Sequence, residues 1–220
     1  IDVTIDGTSI TSETTDLFIS EYGEGGSGNN KWLEIFNGTG ETVDLTGYSV
    51  KLASNGGEWS NTLNLSGTLA DGEVLVIYNS GADAPILEAG DVSSDVTYFN
   101  GNDAVALFKD DVIIDLIGIY QDDPGKTVGW PAGDDGSTVD HTLVRKGSVL
   151  SPNATFTASE WEVFPDMTFT EVGSHSVDVI ELTDDVKVLV DKAELDLGGV
   201  IVSETAITLP TAGTLGSVIT

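Results

Sequence analysis

The side chains of this chain that could do chemistry are mostly carboxylates. The sequence holds 37 Asp and Glu, 8 Lys and Arg, 2 His and no Cys. Carboxylate, amide and carbonyl oxygens from Gly-rich loops are the ligands that Ca²⁺ prefers. Three stretches supply them, EYGEGGSGNN, NGND and AGDDGSTVD. Calcium is therefore the one metal that the sequence predicts, with these ligands: Glu21, Glu24, Asn30, Asp103, Asp134 and Asp135. The alternative is that the same side chains only solvate loops and satisfy turn backbone groups.

Catalytic residue patterns are absent from the sequence. There is no Gly-x-Ser-x-Gly motif, and the Gly-rich run 23–28 does not end in Gly-Lys-Ser or Gly-Lys-Thr. Carboxylate pairs such as Asp122-Asp123 are expected in so acidic a chain and do not indicate a glycosidase. We predict no catalytic residue, and we expect His141 to be a structural residue at the start of a strand.

The net charge of the chain restricts its partners. A formal charge of -29 repels phosphate backbones and anionic headgroups, so we expect no direct binding of nucleic acid. The sequence has no apolar run long enough to span a bilayer, which argues against membrane insertion. A strongly acidic surface suits salt and divalent cations, and it predicts an extracellular or cell-surface location.

Short alternating runs separated by Gly, Asn and Asp predict an all-β sandwich. Asp110-Asp111 is typical of a tight hairpin turn between two of these runs. Residues 82–88 predict at most one helical turn, and the four tryptophans are expected in the core. The polar run 23–30 is expected to cross between two strands, anchored by Glu34 accepting backbone donors.

Three pieces of the sequence together resemble the bacterial branch of the lamin-tail domain family. They are LFISEYGEGGSGNNKWLEIFNGTGETVDLTGYSVKL (17–52), LSGTLADGEVLVIYNS (65–80) and FNGNDAVALFKDDVIIDLIGI (99–119), and the resemblance continues to residue 176. It implies an immunoglobulin-like β-sandwich without enzymatic activity. In bacteria such a domain is a module of secreted or surface proteins. The basic nucleic-acid-contacting surface of lamin tails is not expected in so acidic a chain.

The sequence divides into three predicted parts: an N-terminal strand or extension (1–16), a lamin-tail-like sandwich (17–176), and an acidic linker with a partial strand segment (177–220). DKAELDLGG and TAITLPTAGTLGSVIT in the last part resemble the first half of an atypical bacterial Ig-like repeat. Half a sandwich cannot bury its own apolar face. We expect these extra terminal strands to pair with the main domain or with another copy.

These expectations predict a non-catalytic, extracellular structural module that joins neighbouring subunits or domains by β-strand addition. The predicted partners are copies of the chain or adjacent Ig-like domains. One N-terminal strand, residues 3–10, and the C-terminal strands would supply the contacts, through Val3, Ile5, Ile10, Ile207, Leu209, Val218 and Ile219. The alternative function is an accessory module of a secreted nuclease or phosphoesterase whose catalytic domain lies outside these residues.

Overall fold

The structure, a computed structural model, describes residues 3–5, 9–26 and 28–181. Its strands are β1 (Val3–Ile5), β2 (Ser9–Ser12), β3 (Phe18–Glu24), β4 (Lys31–Phe36), β5 (Val43–Asp44), β6 (Tyr48–Ala53), β7 (Asn61–Asn64), β8 (Thr68–Leu69), β9 (Val74–Tyr78), β10 (Val92–Ser93), β11 (Ala104–Lys109), β12 (Val112–Ile117), β13 (Pro131–Ala132), β14 (Gly136–Ser137), β15 (His141–Arg145), β16 (Trp161–Pro165) and β17 (Val179–Glu181). The helices are α1 (Ala84–Ala89) and the 3-10 helices Ser54–Gly56, Asp95–Thr97 and Ala158–Glu160.

One compact unit of the chain, Thr14–Val177, is a β-sandwich. Its six-stranded sheet has the order β10-β9-β4-β3-β15-β16, and its four-stranded sheet has the order β12-β11-β6-β7. The pairs β5–β8 and β13–β14 lie outside these sheets. The predicted all-β sandwich is confirmed, and so are the short helix, α1, and the β11–β12 hairpin, where Asp110 and Asp111 have φ of 49° and 63°.

The described residues before Thr14 and after Val177 belong to a second unit. There β1, β2 and β17 form an antiparallel sheet in that order, with Ile10 opposite both Ile5 and Ile180. The single predicted strand over residues 3–10 is therefore wrong, because β1 and β2 are two paired strands. The sequence between them contains Asp6-Gly7, a dipeptide typical of hairpin turns. The predicted assembly residues Ile207, Leu209, Val218 and Ile219 lie outside the described residues.

Side chains of the six-stranded sheet alternate between two apolar layers. Leu33 and Ile35 of β4 belong to the large core between the sheets, whereas Trp32 belongs to a separate cluster with Ile86 of α1. Burying one such aliphatic or aromatic side chain contributes about 1.5–3 kcal/mol. Trp32, Trp130 and Trp161 are buried, as expected, but Trp59 is only half-buried and stacks on Tyr120 at 4.5 Å.

A buried ion pair joins the two sheets through the core. Both Arg145 on β15 and Asp115 on β12 are almost fully buried. Arg145 Nη2 donates to both Asp115 carboxylate oxygens at 2.5 and 2.6 Å, and Arg145 Nε donates to the Ile19 carbonyl at 3.1 Å. Asp115 also accepts from the Ile19 N–H at 2.7 Å and the Asn153 N–H at 3.1 Å. The pair therefore holds β3, β12 and β15 in one network.

Gly23 lies opposite Trp32 and has no room for a side chain, since a Cβ there would be 2.3 Å from the indole ring. We expect Gly23→Ala to lower the free energy of unfolding by about 2–3 kcal/mol through overpacking. Gly28→Ala is the control: Gly28 has open space and a φ of 72°, so only backbone strain of about 1 kcal/mol is expected. Urea denaturation measures both variants, and equal losses would contradict the steric argument.

Candidate functional site

An open groove of about 830 Å³ runs beside β16, at one edge of the six-stranded sheet. One wall is β16 with the residue that follows it, 161–166, and the other is the turn of the β13–β14 hairpin, 133–136. Asp140, His141 and Lys146 from β15 and its flanks complete the lining. The hairpin stays close to the strand because Gly133 donates its N–H to the Ala158 carbonyl at 2.9 Å.

Among the described strands, β16 pairs with β15 alone and is the last strand of its sheet. It is antiparallel to β15, with Arg145 opposite Trp161, and Lys146 N–H bonds the Glu160 carbonyl at 2.9 Å just beyond the ladder. In an antiparallel pair, bonded and non-bonded positions alternate. Glu162 and Phe164 therefore bond β15, and the backbone groups of the residues between them point away from it.

The outward-pointing backbone groups are those of Trp161, Val163 and Pro165. Trp161 N–H bonds the Ala158 carbonyl, Pro165 has no N–H, and its carbonyl accepts from Thr168 Oγ1 at 2.7 Å. No described residue bonds the outward N–H or C=O of Val163. Trp161, which is fully buried and lines the groove, also has an indole Nε1–H without an acceptor among the described residues. This wall thus presents backbone groups that an added strand would pair with.

The groove is rich in acidic side chains. Its exposed carboxylates belong to Asp134, Asp135, Asp140, Glu162 and Asp166. Its cationic side chain, Lys146, donates to the carbonyl of Ser159 at 2.8 Å. His141 begins β15 with Nδ1 2.6 Å from the Val139 carbonyl, which is the structural position expected for it.

Of the residues predicted to bind calcium, Asp134 and Asp135 lie in this groove. Glu24 and Asn30 lie elsewhere and have protein partners. Glu24 forms an ion pair with Lys31 and accepts the Asp140 N–H at 2.7 Å. Asn30 Nδ2 donates to the carboxylate of Asp83 at 2.8 Å, and Asn30 Oδ1 accepts the Asp83 N–H at 2.7 Å. Asn30 therefore anchors the loop 25–30, whereas the sequence predicts that Glu34 does so.

Asp103 and Glu21 are buried apart from the groove. Asp103 accepts backbone N–H groups of Asn55 at 2.6 Å and Asn100 at 2.9 Å, and burial raises its pKa. Among the described residues, no group of three or more His, Asp or Glu side chains is arranged to hold a metal ion. The six residues predicted to bind calcium do not come together at one place in the structure, and calcium binding stays a prediction.

Glu21 and Glu34 form a buried pair of carboxylates on the sheet face opposite the main core. They are directly opposite each other on β3 and β4, and they are 1% and 0% exposed. Glu21 Oε1 accepts from the indole of Trp32 at 3.0 Å, but Oε2 has no partner among the described residues. Burial, with the nearby Glu34 charge, raises the pKa of Glu21 to about 8, so Glu21 is mostly protonated at neutral pH.

Glu34 fixes a segment far away in the sequence. Its carboxylate accepts from Ser20 Oγ at 2.7 Å and from the Gly173 N–H at 2.7 Å. Burial raises the pKa of Glu34 to about 7, although these hydrogen bonds act in the opposite direction. Glu34 accepts a backbone donor, as predicted, but the donor belongs to residues 166–177. We call residues 166–177 the cover segment.

Aromatic contacts hold the cover segment on the sheet. Phe169 packs on Trp32 with ring centroids 5.4 Å apart, and His175 packs edge-on against Phe18 at 5.6 Å and Phe36 at 4.9 Å. Burial lowers the pKa of His175 to about 4, so the imidazole is neutral in the fold at neutral pH. The cover segment therefore hides the apolar face of β3 and β4.

Sequence reasoning missed both the open edge of β16 and the cover segment. The one local signal for the edge was WEVFP, an alternating run that ends in a proline, because proline is confined to edge strands and strand ends. The signal for the cover segment was weaker. Phe169, Val172 and His175 are three positions apart, which does not match the alternation of a strand, and only the structure reveals what they pack against.

Residues 10–121 match the family model of the Lamin Tail Domain. No curated protein matches the chain significantly, and no solved structure does either. The matched residues run from β2 to just beyond β12, so the groove residues 133–166 lie outside them. No helix among the described residues is long and apolar enough to cross a membrane.

Proposed function

The chain belongs to the lamin tail domain family, and from this premise we propose that it is a structural module that receives an extended strand from a partner. The family is one of immunoglobulin-like, non-catalytic domains. A module of this kind acts by contact, and β-strand addition is one way in which a sheet makes such contact. The proposed acceptor is the open edge of β16.

The observation that carries this proposal is that no described residue pairs with the outward backbone groups of Val163, which lines the groove. Unpaired edges pair readily with other chains, and proteins usually shield them. Here Pro165 and the Ala158 and Thr168 contacts close both ends of the β16 edge, while the middle stays open to an 830 Å³ groove. A short added strand fits that arrangement, whereas long edge-to-edge aggregation does not.

The proposed location is outside the cell or at its surface. The net charge of -29 supports this, because exposed like charges repel less when salt screens them. The proposed consequence of binding is that the module fixes a neighbouring domain or subunit in place. The terminal strands predicted to be donated include residues outside the described part of the chain. The test therefore addresses the strand that receives them, the open edge of β16.

The test is selection of short peptides on the immobilised 220-residue chain from a random 12-residue phage library. We expect extended, alternating sequences to be enriched by the unmodified chain and lost on Val163→Pro. Proline removes the outward N–H of Val163 without removing a bond to β15. Circular dichroism checks that the variant stays folded. Enrichment of the same peptides by Val163→Pro, or no enrichment by either chain, would overturn the proposal.

A further inference from the structure

We infer that the strand received by the β16 edge is a basic one, with Lys or Arg at alternate positions. This inference rests on the proposed function and adds the chemistry of the partner. It follows from what surrounds the free Val163 backbone. The backbone groups of an added strand would pair with Val163, and its side chains would lie among the groove's carboxylates.

Charges lie on both walls of the groove. Glu162 is exposed on β16 itself, next to Val163, and Asp134 and Asp135 are exposed on the hairpin turn across from it. Asp140 and Asp166 are exposed elsewhere in the lining. Side chains of an added strand alternate between two faces, and each face has carboxylates, Glu162 on one and the Asp134–Asp135 turn on the face that Val163 shares with the hairpin. Alternate Lys or Arg would therefore meet opposite charge in either register, whereas an acidic strand would meet like charge.

The groove's own cations do not neutralise these carboxylates. Lys146 Nζ is held by the Ser159 carbonyl. Among the described residues, none of the five exposed groove carboxylates forms an ion pair. The acidic charge is therefore available to a partner.

A second copy of this chain is a poor occupant. Two copies would each carry a formal charge of -29, so their approach is repulsive at low salt. A basic segment from a different protein is attracted under the same conditions. A basic segment of a different protein is therefore the inferred donor, in place of the copies of the chain that the sequence predicts.

The experiment uses three fluorescein-labelled heptapeptides that share valines and differ in the alternate residue: Lys-Val-Lys-Val-Lys-Val-Lys and its Ser and Glu counterparts. Fluorescence anisotropy with the full chain measures their affinities at 50 mM and 500 mM NaCl. We expect the Lys peptide to bind at least tenfold more tightly than the Ser peptide at low salt, and the Glu peptide to bind most weakly. High salt should reduce the difference between Lys and Ser peptides.

Variants of the groove residues test whether the preference for the Lys peptide arises in the groove. Asp134→Asn with Asp135→Asn should weaken the Lys peptide about fivefold and leave the Ser peptide unchanged. Glu162→Lys should weaken it more, and Val163→Pro should remove the binding of every peptide. Glu88→Lys, at an exposed position of α1, makes the same charge change as Glu162→Lys away from the groove and should lower affinity far less.

The outcomes separate this inference from the proposed function. If the Ser peptide binds as tightly as the Lys peptide, and Val163→Pro removes both, strand addition stands and the basic partner is wrong. If Glu88→Lys weakens the Lys peptide as much as Glu162→Lys does, the attraction is a property of net charge and not of the groove. If no peptide binds and the library also gives none, both proposals fail.

Discussion

Replacing Arg145 by Met will lower the free energy of unfolding by about 4 kcal/mol, because it leaves a buried charge without its partner. Asp115 is 0% exposed, and Arg145 gives it two of its hydrogen bonds. The same change also removes the bond from Arg145 Nε to Ile19 and the cation–π contact with Trp161 at 4.2 Å. Guanidinium chloride denaturation at pH 7 measures the loss as a fall in the transition midpoint.

A double variant shows whether the unpaired charge is the cause. Arg145→Met with Asp115→Leu removes both of these buried charges, and Glu160 loses its ion pair with Arg145 in the single and the double variant alike. Apolar replacement of a buried ion pair is often nearly neutral. Here the N–H groups of Ile19 and Asn153 lose their shared acceptor, at a cost of about 1–3 kcal/mol each. We therefore expect the double variant to recover part of the lost stability. A double variant less stable than Arg145→Met would show that the acceptor role of Asp115 outweighs its charge.

The parts of the fold that the sequence predicts are those with local causes. Asp110-Asp111 forms a hairpin turn because both residues tolerate a positive φ, and this preference can be predicted from the dipeptide alone. The alternation in β4 likewise predicts a buried strand, since every second side chain meets the same layer. The resemblance to a family predicts the β-sandwich as a whole, because a match over many strands gives their order as well as their existence.

The candidate site depends on long-range pairing, which local patterns do not determine. Glu34 meets Gly173 across 139 positions, and Arg145 meets Asp115 across 30. In a chain with 37 acids, the sequence cannot show which carboxylate is buried, paired or left at a free edge. The residues predicted to bind calcium illustrate this. They share oxygen-bearing side chains and a polar sequence context, but in the structure Glu21 is buried on β3 whereas Asp134 lies in the groove.

The Glu21–Glu34 pair will make the sandwich less stable as the pH rises from about 5 to about 8. In the unfolded chain a glutamic acid loses its proton near pH 4.5, whereas the pKa of Glu21 in the fold is about 8. Between those values the folded state binds more protons than the unfolded state, so the free energy of unfolding falls with pH. Each unit of pKa difference corresponds to about 1.4 kcal/mol, so the loss is on the order of 4 kcal/mol. Glu34, with a pKa of about 7, acts in the same direction.

His175 changes the free energy of unfolding with pH in the opposite direction, and it sets the lowest pH at which the contribution of Glu21 is seen alone. Its pKa falls from 6.5 to about 4 in the fold, so the unfolded state binds the extra proton between those values. Stability from the neutral imidazole is therefore complete above pH 6.5 and is lost as the pH falls toward 4. The two trends oppose each other below pH 6.5, and the loss due to Glu21 is seen without this opposition between pH 6.5 and 8.

Glu21→Gln isolates the carboxylate contribution. Glutamine keeps an oxygen acceptor for the Trp32 indole and has no proton to lose. We therefore expect the variant to lack most of the fall in stability between pH 6.5 and 8, and to be more stable than the unmodified chain over that range. Urea denaturation at half-unit steps of pH measures both curves. Glu88→Gln, at an exposed position of α1, is the control that makes the same chemical change outside the pair. Parallel curves for Glu21→Gln and the unmodified chain would mean that Glu21 is ionised in the fold. The cover segment would then lie over a charged pair, and its hold on the sheet would depend on the aromatic contacts of Phe169 and His175.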